Sequence, residues 1–392
     1  MFFGGESLKK YWVKRGTRIW KLLTIISLVG EYPVSGLGLL GEHRHMRRMV
    51  SEMCKEVEYR VPGSKETVAC TLLSVIGHGV NKSIRIKQDG ETVISWLYPG
   101  AEEVLRGSTY NYTLPKTVDK VERRHRVAEA TAMYLEAGIP IIPSEIEELR
   151  LTEKRLYPVM QTSFYTSVYF KTLEEDEVEK TGYSRLVGCT AGPEGCMGIY
   201  NVRSSVMRWT QLGEMKGRLN IELIEKNNCP DHVSASSGAI LLGRDYEQGM
   251  KTLEGLWTSR QDFSEKRGMT MLTDIYDHIY FVPLSEDGIR QLHFFYSTDA
   301  RESLRYEILK DVVSERKENV DCDAYDGEWY SLLFYDGDLA RLDRFIRGVG
   351  SRKGKIYCFK HQRDFVRSRI GDNILICSAS MDTISRLIGI PL

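Results

Sequence analysis

The chain has 392 residues, 42% hydrophobic and 28% charged, with 54 Lys and Arg balanced by 54 Asp and Glu. That length can bury two or three cores, and that composition excludes a disordered polymer. The eight cysteines are scattered, with no Cys-x-x-Cys pair and no His at zinc-ligand spacing, which points away from a disulfide framework or a metal cluster and toward buried thiols in a reducing cytoplasm.

The zero net charge hides a sorting along the chain: residues 1–90 carry +7, residues 91–340 carry −14 and residues 341–392 carry +7. Two basic ends around an acidic middle predict two polyanion-facing surfaces. Lys9, Lys10, Lys14, Arg15 and Arg18 precede the apolar run Ile19 to Val29. Lys21 interrupts that run, it is too short to span a bilayer, and no small-x-small cleavage site follows. Neither export nor a membrane is expected.

In chain order, Gly16 to Val29 reads as an amphipathic helix, Glu31-Tyr32-Pro33 as a break, Val34 to Leu40 as a short segment and Glu42 to Lys55 as a second, basic helix. Val57 to Val61, the turn Pro62-Gly63-Ser64-Lys65 and the β-branched stretch Thr67 to Val75 read as a two-stranded wing. The order is that of a winged helix-turn-helix, with Leu73-Ser74-x-x-Gly77 expected to start the next helix at its Ser. A loop around Tyr110 to Asp119 leads to a helix over Val121 to Ala137, stopped by Gly138 and Pro140.

Strands then alternate with helices: Tyr183 to Thr190 and Met197 to Val202 around the turn Gly192-Pro193-Glu194-Gly195, helix Gly213 to Lys226, strand Ala239 to Leu242, helix Tyr246 to Trp257, strand Ile279 to Pro283. This pattern predicts a mixed α/β sheet. Glu315 to Glu328 reads as an acidic linker or exposed loop. Strands Tyr330 to Tyr335, Lys355 to Phe359 and Asn373 to Ser378, with helices Leu339 to Val349 and His361 to Arg369, make a C-terminal β-α-β-α-β unit that is either separate or an extension of the middle sheet. The fold class expected is α/β (α+β overall), with domains over 1–108, 115–312 and 325–392.

In the second basic helix, Met46, Met49, Val50 and Met53 recur at helical spacing and mark the buried side. Arg44, Arg47 and Arg48 fall on the other side, where a major-groove helix needs them. Lys14, Arg15, Arg18 and Lys21 of the companion helix and Arg60 and Lys65 of the wing extend this basic surface. A second phosphate-contacting surface is expected at Arg341, Arg344 and Arg347, which repeat at helical spacing opposite Leu342, Phe345 and Ile346.

Other motifs are weaker. His43-Arg44-His45 has the spacing of a metal-holding His pair, but on a helix those rings diverge. Gly36-x-Gly38-x-x-Gly41 follows a helix rather than a strand, so it is no dinucleotide site. A PD-(D/E)xK nuclease needs an acid after a Pro and an acid-x-Lys on the next strand to hold Mg²⁺. Pro193-Glu194 supplies the first, but Asn201 and Arg203 stand where the carboxylate and Lys should be. Glu214-x-Lys216 lies in a helix, where its side chains point apart.

This order of parts resembles the replication-relaxation family of plasmid and integrative-element proteins. The resemblance rests on the winged helix ending in Leu73-Ser74-x-x-Gly77, the helix beginning Arg124-His125-Arg126-Val127-Ala128-Glu129, the Pro193-Glu194-Gly195 turn before a strand, and Ala239 to Val282. It covers about residues 1–285 and implies a winged helix joined to a PD-(D/E)xK-like domain, with an active version put in doubt by Asn201 and Arg203. The function expected is that of a cytoplasmic DNA-binding protein acting in plasmid replication, DNA relaxation or transfer, or their control. Its partners would be double-stranded DNA and a relaxase or replication protein, with no cofactor, no metal and no catalysis of its own. One alternative is a Mg²⁺-dependent DNA-nicking enzyme using Glu129, Glu194 and Lys216. Another is a scaffold recruiting a partner through the acidic middle.

Overall fold

The computed structural model describes residues 9–61, 65–109, 114, 117–173, 184–205, 207, 209–229, 237–254, 269–312 and 320–392. It is mixed α/β with several small sheets, and among the described residues no helix is long and apolar enough to cross a membrane. Two units divide the chain. The first comprises Met1–Glu136, Pro140–Glu147 and Phe164–Thr172, the second Ala137–Ile139, Glu148–Ser163 and Leu173–Leu392. Of the expected turns, Pro62-Gly63-Ser64 and most of the Tyr110 loop lie outside the described residues, as do Tyr183 and the end of the helix expected to reach Trp257.

In the first unit, the helix Arg18–Val29 starts where the Thr17 hydroxyl accepts a bond from the Trp20 N–H at 3.3 Å. It ends at Gly30, whose φ of +92° suits only glycine without strain. Every residue from Ile19 to Val29 except Lys21 is buried. The expected amphipathic helix is therefore a central one, packed against the helices Ala101–Thr109 and Val118–Glu136. The short strand Tyr32–Pro33 and then a 3₁₀ turn, Val34–Leu40, lead to the helix His43–Met53. Glu56–Arg60 and Thr67–Thr71 form an antiparallel hairpin, with Lys10–Trp12 parallel on its outer side.

The single expected strand over Thr67 to Val75 is two. Leu73–Ile76 leaves the hairpin and pairs antiparallel with Ser83–Ile86, which also pairs with Tyr32–Pro33. Ser74 consequently lies in a strand and starts no helix. The β-branched Val75 and Ile76 favour the extended state, and Gly77 at φ +82° makes the turn.

In the second unit, strand order is His278–Pro283, Gly238–Gly243, Gly195–Arg203, Leu186–Gly192, parallel except for the last pair, a hairpin turned at Pro193-Glu194. Ala239 to Leu242 are fully buried, as strands covered on both faces are. The helices Glu286–Tyr296 and Thr298–Leu309 follow, capped by Ser285 and Ser297. The C-terminal strands run in the order Ala324–Tyr325, Tyr330–Leu333, Gly354–Phe359, Ile374–Ala379, with the helices Leu339–Val349, Arg363–Arg367 and Met381–Ile388.

This C-terminal sheet is its own, yet it is bonded to the other. The Phe281 N–H donates to the Gly337 carbonyl at 2.9 Å, and the Gln291 amide donates to the carbonyls of Phe281 and Asp336 at 2.9 and 3.2 Å. A Cβ at Gly337 would lie 2.6 Å from the Phe281 oxygen, so only glycine fits. The expected acidic linker is also corrected. Its part 315–319 lies outside the described residues, but Ala324–Tyr325 is a buried strand and the Asp323 side chain is 6% exposed.

One buried ion triad joins the elements of the first unit. Glu31, fully buried just past the central helix, accepts from Arg85 Nε at 2.8 Å and Arg124 Nε at 2.7 Å. Beside it, buried His125 Nε2 lies 2.7 Å from the Ser83 hydroxyl. The Arg124-His125 pair that carried part of the family resemblance thus fastens the helix Val118–Glu136 to the strand Ser83–Ile86. Removing one member of a buried ion group leaves uncompensated charge. Glu31→Ala is expected to cost about 3–5 kcal/mol in urea denaturation of the full chain. A loss below about 1 kcal/mol would show that packing alone holds these elements.

Candidate nucleic-acid interface

The helix His43–Met53 buries Met46, Met49, Val50 and Met53 and exposes Arg44, Arg47 and Arg48. The 3.6-residue repeat fixes this division: the thioether face is held by the core, so the three guanidinium groups face outward. Among the described residues neither Arg44 nor Arg47 meets a carboxylate. Arg48, 79% exposed, lies 3.4 Å from Glu52 one turn on. Glu52 also accepts from Lys9 Nζ and the Tyr11 hydroxyl. These bonds, led by that from Lys9, hold its carboxyl at about 2, well below the ordinary range. His43 and His45 diverge on the helix as expected, and His43 Nε2 is 3.3 Å from the Val34 carbonyl.

The other expected DNA contacts divide. Lys14 and Arg18 are exposed at the start of the central helix and meet no acid among the described residues. Arg15 is held by both oxygens of Glu145 at 2.6 and 2.7 Å, with its guanidinium 5.5 Å over the Trp20 ring. Lys21 is paired with Glu136 at 2.6 Å. On the hairpin, Arg60 bonds Glu58 of its own strand at 2.6 Å, and Lys65 is exposed.

The C-terminal arginines are committed within the second unit. Arg341, with a side chain 19% exposed, reaches Asp321 at 3.0 Å and Asp323 at 3.2 Å. Arg344 bonds Asp321 at 2.9 Å and the Asp277 carbonyl at 2.7 Å. Burial pushes the Asp321 carboxyl up, but the bonds from Arg344 and Arg341 outweigh it and leave the group below the ordinary range. Lys353 pairs with Glu328, and Lys355 with Asp326 at 3.3 Å. Four basic residues of the C-terminal end and four acids of the preceding stretch, separated in sequence, thus pair in space, whereas Lys360 and Arg363 are exposed with no acid on them among the described residues. Arg344 is 42% exposed and Arg347 78%, and Arg347 pairs with Asp343 at 2.5 Å.

The residues of the nuclease alternative are held as follows. Glu129 is buried in the first unit, whereas Glu194 and Lys216 belong to the second. Glu194 accepts from Thr298 and Arg301. Asn201 is buried, its Oδ1 accepting from the Arg203 N–H at 2.9 Å. Glu214 is buried too, bonded to Ser184 at 3.1 Å and the Arg185 N–H at 3.0 Å, while Lys216, in the same helix, is half-buried. Among the described residues no group of three or more His, Cys, Asp or Glu is placed to hold a metal ion.

A cavity of about 680 Å³ in the second unit is lined by Glu194, Asp323 and Asp336 and by Arg301, Arg305 and Arg341. Its acids are opposed by guanidinium groups: Arg305 pairs with Asp323 at 2.6 Å. Burial, then the neighbouring Asp338, raises the Asp336 carboxyl to about 7.

Sequence reasoning missed one cluster. Lys9, Tyr11 and Trp12 precede the central helix and line a groove of about 580 Å³ with Arg18, His45 and Arg48. The signal was present as aromatic residues interleaved with basic ones in Lys9-Lys10-Tyr11-Trp12-Val13-Lys14-Arg15. No family model, curated protein or solved structure matches the chain.

Two outcomes are expected. Arg341→Ala should lower the stability of the full chain by about 3 kcal/mol, because it strips Asp321 and Asp323 of a shared cation, without weakening DNA binding beyond twofold. Denaturation and binding titrations check this, and a large loss of affinity at unchanged stability would make Arg341 a DNA contact. Asp336 is a raised carboxyl, so its ionisation costs the folded state stability as pH rises from about 4 through 7. Asp336→Asn should therefore raise the denaturation midpoint at pH 8 and leave it unchanged below pH 4. An unchanged midpoint at pH 8 would contradict this.

Proposed function

We propose that the protein binds double-stranded DNA through its first unit, as a sequence-preferring factor of a mobile genetic element, acting in plasmid replication, DNA relaxation or transfer, or their control. The observation that carries this reading is the helix His43–Met53, with four buried apolar residues on one side and Arg44, Arg47 and Arg48 on the other. The preceding helix and 3₁₀ turn, and the hairpin that follows, support reading it as a winged helix-turn-helix, with Lys65 near the tip of the wing. Lys14 and Arg18 extend the free positive charge toward the flanking backbone. The mobile-element role draws on the likeness to the replication-relaxation family, and a relaxase or replication protein is the partner that role calls for.

About four to six phosphate contacts predict that log K falls against log salt with a slope of roughly −4 to −5. Ala at whichever of Arg44, Arg47 and Arg48 reads a base should narrow the gap between selected and scrambled duplexes by about 1–3 kcal/mol, whereas loss of a phosphate contact lowers both affinities alike. The measurement is competition binding by the full chain at one salt concentration. Absence of duplex binding at low salt, or three variants that all leave affinity and specificity unchanged, would reject the proposal.

A further inference from the structure

Trp12 is 52% exposed, while Trp20 and Trp209 are buried at 4% and 0%. A half-exposed indole is uncommon, because so large an apolar surface is ordinarily covered. The strand Lys10–Trp12 explains its direction. Alternation turns Tyr11 inward, where it stacks with Tyr59 at 6.3 Å, and turns Trp12 outward.

The groove beside this indole is the one that Arg18 and Arg48 reach from two different helices. At about 580 Å³ it falls within the size range of small-ligand sites. Its charge is unbalanced: Lys9, Arg18 and Arg48 face a single acid, Glu52, whose carboxylate is already shared by Lys9, Tyr11 and Arg48. Arg18 meets no acid among the described residues. An exposed aromatic face flanked by surplus guanidinium charge matches one ligand chemistry, a flat base joined to a phosphate. Arg48 belongs both to the exposed face of the helix His43–Met53 and to this groove, so the two surfaces are continuous.

We propose that the groove takes an unpaired nucleotide, its base stacked on Trp12 and its phosphate held by Arg18 and Arg48. The protein would then prefer a duplex that ends in or opens into single strand next to the helix. This inference rests on the proposed duplex binding for its context. Stacking of one base on an aromatic side chain is sequence-tolerant, so the preference is for structure rather than sequence, and worth about tenfold in affinity.

The test is fluorescence anisotropy with the full chain, using a blunt duplex and the same duplex carrying a short single-stranded overhang, at one salt concentration. The overhang should tighten binding about tenfold. Trp12→Ala should abolish that gain and leave the blunt duplex unaffected, and Trp12→Phe, which keeps a ring to stack on, should retain most of it. Equal affinity of the wild type for the two duplexes, or a preference that survives Trp12→Ala, overturns the proposal. If the blunt duplex is bound and weakened by Arg44→Ala but the overhang adds nothing, duplex binding stands and the groove is idle. If only the overhang-bearing strand is bound, in a Trp12-dependent way, the groove stands and the duplex reading falls.

Discussion

A single carboxylate, Glu31, organises the first unit. It follows a helix whose residues from Ile19 to Val29 are buried save one, and it accepts bonds from Arg85 on a strand and Arg124 on a later helix. Charge taken out of water is tolerated only when it is paired and hydrogen-bonded, so this triad admits few other arrangements of the three elements. The helix His43–Met53 packs on the 3₁₀ turn Val34–Leu40, which itself packs on the helix that bears Arg124. A helix held by four core residues can present arginines in a fixed direction, which a mobile basic segment cannot.

The basic residues differ by what they meet. At the N-terminal end, Arg44, Arg47, Arg18 and Lys14 extend into solvent with no acid on them among the described residues, whereas Arg15 and Lys21 are spent on Glu145 and Glu136. At the C-terminal end, Arg341, Arg344, Lys353 and Lys355 are matched by Asp321, Asp323, Glu328 and Asp326. A guanidinium with a buried or shared carboxylate must break that bond before it can serve a phosphate. Formal charge along the sequence thus overstates the free charge at Arg341, Arg344, Lys353 and Lys355.

What was legible in the sequence was local. The stripe Met46, Met49, Val50, Met53 follows from helical period alone, and the strands Gly195–Arg203, Gly238–Gly243 and His278–Pro283 announced themselves as apolar runs between turns. What escaped was set by distant partners. Ser74 carries a capping pattern, but pairing of Leu73–Ile76 with Ser83–Ile86 decides in favour of strand. The acids of Asp321 to Glu328 look like an exposed loop until the arginines and lysines that bind them are brought near by the Leu339–Val349 helix and the Gly354–Phe359 strand. The helices Glu286–Tyr296 and Thr298–Leu309 went unread although Ser285 and Ser297 cap them. Trp12 escaped for a different reason: neither period nor motif tells whether a strand's outward aromatic is covered.

The central claim is that the helix His43–Met53, and not the helix Leu339–Val349, meets DNA. Hydrogen exchange of the full chain with and without a bound duplex tests it most directly. The account predicts slowed amide exchange over residues 43–53 and at the hairpin near Lys65, with residues 339–349 unchanged. Protection over 339–349 with none at 43–53 would contradict it.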